Sequence, residues 1–190
     1  MSSFRVCQFF YFFFLQFLSP IFFFLVLALQ LLRIISANEE NAGTLLAIKP
    51  LGKLTEIIAG SNVTLQMHAC SVLATLTLED DPRVQLDEIG GLRPLVRLLS
   101  STQEDVHFEA IRVLSNVSGS GAIQFRTHNF FFLNRFLFSS LFPEELKVSL
   151  AEAGIITPAI NILNKATELR LKAMTALVLM NLAMNSTYYF

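Results

Sequence analysis

Apolar positions in residues 81–118, DPRVQLDEIGGLRPLVRLLSSTQEDVHFEAIRVLSNVS, fall into short stripes with a period near 3.6, the mark of helices that bury one face. Asp81 reads as the cap of a first helix with Pro82 at its first position, and Gly90-Gly91 as its end. Leu92, Leu95, Val96 and Leu99 stand at i, i+3, i+4 and i+7 of a second helix. Ser101-x-x-Glu104 has the form of a capping box opening a third helix, whose apolar stripe is Val106, Ala110, Val113, Leu114 and Val117.

This three-helix pattern recurs. With a shift of 41 upstream, Ala69, Leu73 and Leu76 take the places of Ala110, Leu114 and Val117, while Leu54, Ile57 and Ile58 take those of Leu95, Leu98 and Leu99. A second shift of 41 brings Ala28, Leu32 and Ile35 to the same three positions. Between them, Asn38 opens a helix that Lys49-Pro50 breaks, Leu51, Leu54, Ile57 and Ile58 stripe the next before Gly60, and residues 61–77 form a third. Downstream, residues 144–163 align with 80–99 at an offset of 64, which puts Gly154 on Gly90 and Pro158 on Pro94, so about 23 residues interrupt the array. In the last helix, Ala173 and Leu177 fit an offset of 63 and Asn181-Leu182 fit 65. A fixed period of roughly 40 residues means stacked helical repeats, each burying its apolar face against its neighbours.

The short first helix, the Gly-Gly turn, the LVRLL second helix and the A-x-x-x-L-S-N-V third helix resemble the armadillo repeat family, with two-helix HEAT repeats as the second reading. The resemblance covers residues 24–118 and 143–186 and implies an all-α fold, a right-handed alpha-alpha superhelix of the armadillo type. Residues 24–36 are then the last helix of a preceding repeat, and 37–77, 78–118 and 143–186 are three repeats. A leader, 1–23, an insertion, 119–142, and a tail, 187–190, fall outside the pattern.

Composition separates the repeats from those segments. Of 19 Phe, ten precede residue 25 and seven lie between 125 and 142. No charged side chain occurs from residue 6 to 32, between Arg5 and Arg33. That length suits a transmembrane helix across residues 6–29, although Pro20 is expected to interrupt it; a signal peptide lacks a clear cleavage site. A third reading takes both Phe-rich segments as translated non-coding sequence, since pyrimidine-rich tracts read as Phe and Leu with Ser and Pro. A natural hydrophobic loop is the rival account of the insertion. Net charge is -1 with no basic run, which offers nucleic acid no electrostatic footing. The two cysteines form no disulfide framework; Cys70, beside Ala69, is a small core residue.

Sites for chemistry are few. His68 and His107 lie on the polar side of third helices, His128 lies in the insertion, and none has ligand spacing with another or with a Cys, so no metal site is expected. The acidic pairs Glu39-Glu40, Glu79 to Asp81, Glu104-Asp105 and Glu144-Glu145 stand at helix starts, where they favour the positive end of the helix dipole. No phosphate loop or nucleophile elbow occurs, so no enzyme, cofactor or small-molecule substrate is expected.

In armadillo proteins the third helices line a concave groove, and an Asn on each hydrogen-bonds the backbone of an extended peptide. Carried over, that position holds Ile34, Thr75, Asn116 and Asn181, two of them Asn. One turn earlier, where importin-alpha-like members place a Trp, stand Ser71, Arg112 and Leu177, and the chain has no Trp. The resemblance therefore implies a groove of Ser71, Thr75, Glu109, Arg112, Asn116 and Asn181, and disfavours basic import signals as its ligand. The expected function is a cytoplasmic, non-enzymatic scaffold for a protein or peptide partner in extended conformation. The alternatives are an adaptor anchored through residues 6–29 with its repeats facing the cytosol, or a structural fragment of a longer solenoid. The sequons at Asn62, Asn116 and Asn185 matter only if the chain is secreted.

Overall fold

The computed structural model describes residues 3–119 and 144–184, with side chains from residue 20 onward except those of Glu39 and Glu144. Among the described residues there are ten α-helices and no strand: α1 (Ser3–Ser36), α2 (Glu39–Ala47), α3 (Leu51–Ala59), α4 (Val63–Leu76), α5 (Asp80–Glu88), α6 (Leu92–Leu98), α7 (Glu104–Ser118), α8 (Glu144–Glu152), α9 (Ile156–Lys165) and α10 (Leu169–Ala183). The third helices α1, α4, α7 and α10 pack side by side in that order, and each full repeat lays its second helix against its third. The core runs lengthwise between these layers through Ile58, Leu73, Leu95, Ile111, Leu114, Leu150 and Leu171, all essentially inaccessible to water. Its residues are the apolar stripes of the helical pattern, so burying them drives both helix formation and stacking.

Turn chemistry sets the boundaries. Asn38 caps α2 by accepting the Glu40 amide at 3.0 Å, and Asn62 caps α4 through the Leu65 amide at 3.1 Å. Gly90, at φ +72°, and Gly154, at φ +82°, supply the left-handed residue between the first and second helices of their repeats, at equivalent positions. A Cβ on Gly91 would run into Leu86, so close helix packing requires glycine there.

Four local expectations are corrected or sharpened. Helix α5 starts at Asp80, so Pro82 is its third residue; the first four amides of a helix lack intrahelical acceptors, and the missing N–H costs nothing there. No capping box opens α7: the Ser101 hydroxyl accepts the Gln103 amide at 3.2 Å instead. The Glu104 carboxylate reaches forward to the Thr167 amide at 3.2 Å and hydroxyl at 3.1 Å, tying two repeats together. Pro20 does not end α1, which runs unbroken through it. The final register also resolves. Helix α8 keeps the offset of 64 from α5, while α10 starts and ends at an offset of 65 from α7, so the spacing grows by one before the last helix. The leader belongs to α1 as backbone, whereas the insertion beyond Gly119, His128, Asn185 and the tail lie outside the described residues.

Candidate functional site

A concavity of about 400 Å³ opens where α4, α7 and α10 face inward. Thr75, Glu109, Arg112 and Asn116 line it, four of the six residues expected in the groove. Ser71 and Asn181 do not; both are buried. Ser71 shares a register with Arg112 but is buried, whereas Arg112 lines the cavity. Leu177 lines the wall, together with Phe108, Arg170 and Met174, which sequence reasoning did not select. Phe108 had a signal: it is the one Phe within the three full repeats.

Each groove side chain is already positioned. Arg112 Nη1 donates to Glu109 Oε2 at 2.6 Å, one turn apart on α7, with both partly shielded. The Arg170 guanidinium lies 4.8 Å above the centre of the Phe108 ring, a cation–π contact joining α10 to α7. The groove therefore mixes one carboxylate, two guanidiniums, an amide and two hydroxyls with apolar walls.

Asn116 has a more specific arrangement than the expected peptide ladder. Its Nδ2 donates to the Ala74 carbonyl at 2.8 Å and to Thr77 Oγ1 at 3.2 Å, so both amide protons are spent on the preceding third helix. Only its Oδ1 remains to face a ligand. Asn181 Nδ2 likewise donates to Ser118 Oγ at 3.2 Å, and Thr75 Oγ1 meets Ser36 Oγ at 2.6 Å. The hydroxyls bonded there, Ser36, Thr77 and Ser118, recur once per repeat, and each also lies within hydrogen-bond distance of a carbonyl of its own helix, that of Arg33, Leu73 or Ser115. The ladder position is thus a polar seam between successive third helices. The regular recurrence of a small hydroxyl was visible in the sequence, but its bonding partner was not.

Other buried polar groups serve the stack. Arg83 is enclosed and donates to the carbonyls of Thr77 at 2.8 Å, Leu78 at 2.6 Å and Gly119 at 3.3 Å, closing the ends of α4 and α7; Asp80 pairs with it at 2.9 Å. Burial pushes its pKa down, against the raising influence of Asp80 and Glu79. Gln66 and His107, at equivalent positions of successive repeats, bond the carbonyls of Gly60 at 2.7 Å and Ser101 at 2.7 Å, just beyond their second helices. His68 faces Gln30 across the contact of α1 with α4 at 3.5 Å; burial, then Arg33, lowers its pKa, while Glu109 raises it. Burial, with a further push from Glu109, raises the pKa of the Cys70 thiol, leaving it a core group and not a nucleophile. Among the described residues no group of three His, Cys, Asp or Glu could hold a metal ion.

These features define an all-helical repeat solenoid with a groove along its innermost helices. Residues 79–119 match the Armadillo/beta-catenin-like repeat family, so this segment is an armadillo repeat, and the fold around it is an armadillo-type solenoid. The chain is similar to an engineered protein at 21% identity and TM-score 0.66, covering 83% of this chain and 56% of that one. It is also similar to a designed armadillo repeat protein at 21% identity and TM-score 0.66, covering 82% of this chain and 57% of that one. Another designed armadillo repeat protein, whose structure holds the peptide (KR)4, matches at 19% identity and TM-score 0.64, covering 82% of this chain and 56% of that one. The chain thus spans little more than half the length of these proteins. No curated protein matches it. Armadillo repeats generally mediate protein or peptide binding, and the family is generally non-enzymatic.

Proposed function

We propose that this protein is a non-enzymatic scaffold that binds an extended segment of a protein partner along the groove of α4, α7 and α10. The observation that carries the reading is the concavity lined by Thr75, Glu109, Arg112 and Asn116, with apolar walls from Phe108, Met174 and Leu177. The complex of a similar designed solenoid with the peptide (KR)4 supports an extended ligand. The chemistry here differs from a site for basic peptides. Arg112 neutralises Glu109, the Arg170 guanidinium lies over Phe108, and the chain has no Trp to sandwich a lysine stem. The Asn116 Oδ1 is the group that accepts a peptide N–H, while its donor side stays with Thr77 and Ala74. The partner is read through hydrogen bonds and apolar contacts, in the cytoplasm.

An array of extended peptides of varied sequence, with (KR)4 included, tests this by fluorescence anisotropy. A ligand of mixed polar and apolar sequence should bind more tightly than (KR)4 and should depend little on salt. Arg112→Ala should weaken it about tenfold without changing the melting temperature, the scale of one charge-assisted contact. Binding that ignores Arg112→Ala, or a preference for (KR)4 that collapses with salt, would overturn the reading.

A further inference from the structure

Helix α1 divides at Leu25. Beyond it, Leu29 and Ser36 are buried on the solenoid, Leu32 packs against the core, and Gln30 and Ser36 bond His68 and Thr75 of α4. Before it, every residue from Pro20 to Leu25 is exposed. Consecutive helical residues turn by about 100° each, so a run of this length passes right around the helix and is bare on all sides, not merely along one face. The sequence upstream stays uncharged back to residue 6 and contributes nine Phe between 6 and 25.

The uncharged run that ends in this bare segment extends over residues 6–25. A helix of that length rises about 30 Å, the thickness of a bilayer's hydrocarbon core. A protein partner covers a stripe of a helix; only lipid, or a shell of several helices, covers the whole circumference. Pro20 fits the same setting, because backbone groups freed by proline are tolerated in membrane helices. Gln8 and Gln16 are outweighed by the aromatic content, and Arg5 and Arg33 bound the uncharged run at either end. Among the residues whose side chains are described no single helix is long and apolar enough to cross a membrane, since only Pro20–Ser36 of α1 falls there.

We propose that α1 is a membrane anchor, with residues 6–25 crossing a bilayer and residues 26–36 continuing without a break as the first third-helix of the solenoid. The anchor and the array share one continuous helix, with no linker between them.

Cell-free synthesis of the full chain with phosphatidylcholine vesicles tests this by flotation followed by carbonate washing. The chain should float and stay with the vesicles. Phe13→Arg with Phe14→Arg, both within the uncharged run, should lower the floated fraction about tenfold or more, since each Arg at mid-span is strongly disfavoured. Circular dichroism and melting of that variant should match the parent in detergent, showing that the repeats still fold. A chain that remains in the supernatant, that carbonate strips off, that floats equally with both arginines, or that forms a defined soluble oligomer by light scattering would overturn the proposal.

Discussion

Helices α7 and α1 carry the same stripe in the same register and meet opposite surroundings. On α7, Val106, Ala110, Val113 and Val117 are all buried. Their equivalents two repeats earlier, Phe24, Ala28, Leu31 and Ile35, are all exposed, with Leu31 at 58% and Phe24 at 68%. Helix α10 shows the converse edge. Ile111, Leu114, Ser115 and Ser118 of α7 are buried, while their counterparts on α10, Ala176, Leu179, Met180 and Ala183, are exposed or half-buried. The seam ends with them: Ile34, 61% exposed, stands at the ladder position of α1, and Ala183 at the hydroxyl position of α10. In a solenoid, burial is a property of the neighbour as much as of the residue.

The sharpest break of this comparison is Leu114→Ala against Leu179→Ala. The first should cost about 3 kcal/mol, as cavities at sealed core positions do, and the second well under about 1 kcal/mol. Urea midpoints at constant slope measure both, and equal losses would mean that α10 is covered in solution. Next is Arg83→Met, which orphans carbonyls at the ends of two interior third helices and should cost about 2 kcal/mol; Arg83→Lys should recover only part, because an ammonium lacks the guanidinium fork. Smaller again, Asn116→Leu should cost about 1 kcal/mol by removing two hydrogen bonds of the seam, whereas Ile34→Asn on the open edge should change stability by a few tenths.

The smallest effect is with pH. His68 has its pKa below the ordinary 6.5 when folded and regains 6.5 when unfolded, so the unfolded chain binds more protons between those values. Stability should be constant above that window, fall as pH drops through 6.5, and level off below the folded pKa. The groups facing this ring are Gln30 and Arg33 on α1 and Glu109 on α7. Thermal melts of His68→Gln beside the parent isolate the effect, and identical pH profiles would remove it.

The stripes were legible because the helical period is local and survives any choice of neighbour. Features that depend on what a side chain meets were not. Ser101 and Glu104 had the right spacing for a capping box, yet Thr167 offered the Glu104 carboxylate a partner in the next repeat. Asn116 was expected at the ladder position; its two protons go to Thr77 and Ala74, choices visible only once α4 lies beside α7. Four expected groove residues share one cavity because they recur on inward faces. Ser71 and Asn181 stand at equivalent positions but are buried. The added spacing before α10 was hidden because offsets of 63, 64 and 65 each matched some apolar pairs.

Cys70 lies at the centre of α4, sealed on every side. A thiol so placed is a clock: no alkylating reagent reaches it until α4 parts from α1 or α7, so its labelling rate in the native state times the opening of the array. Mounted midway along the stack, that clock would register a partner's arrival in the groove as a slowing, without any probe being added to the protein.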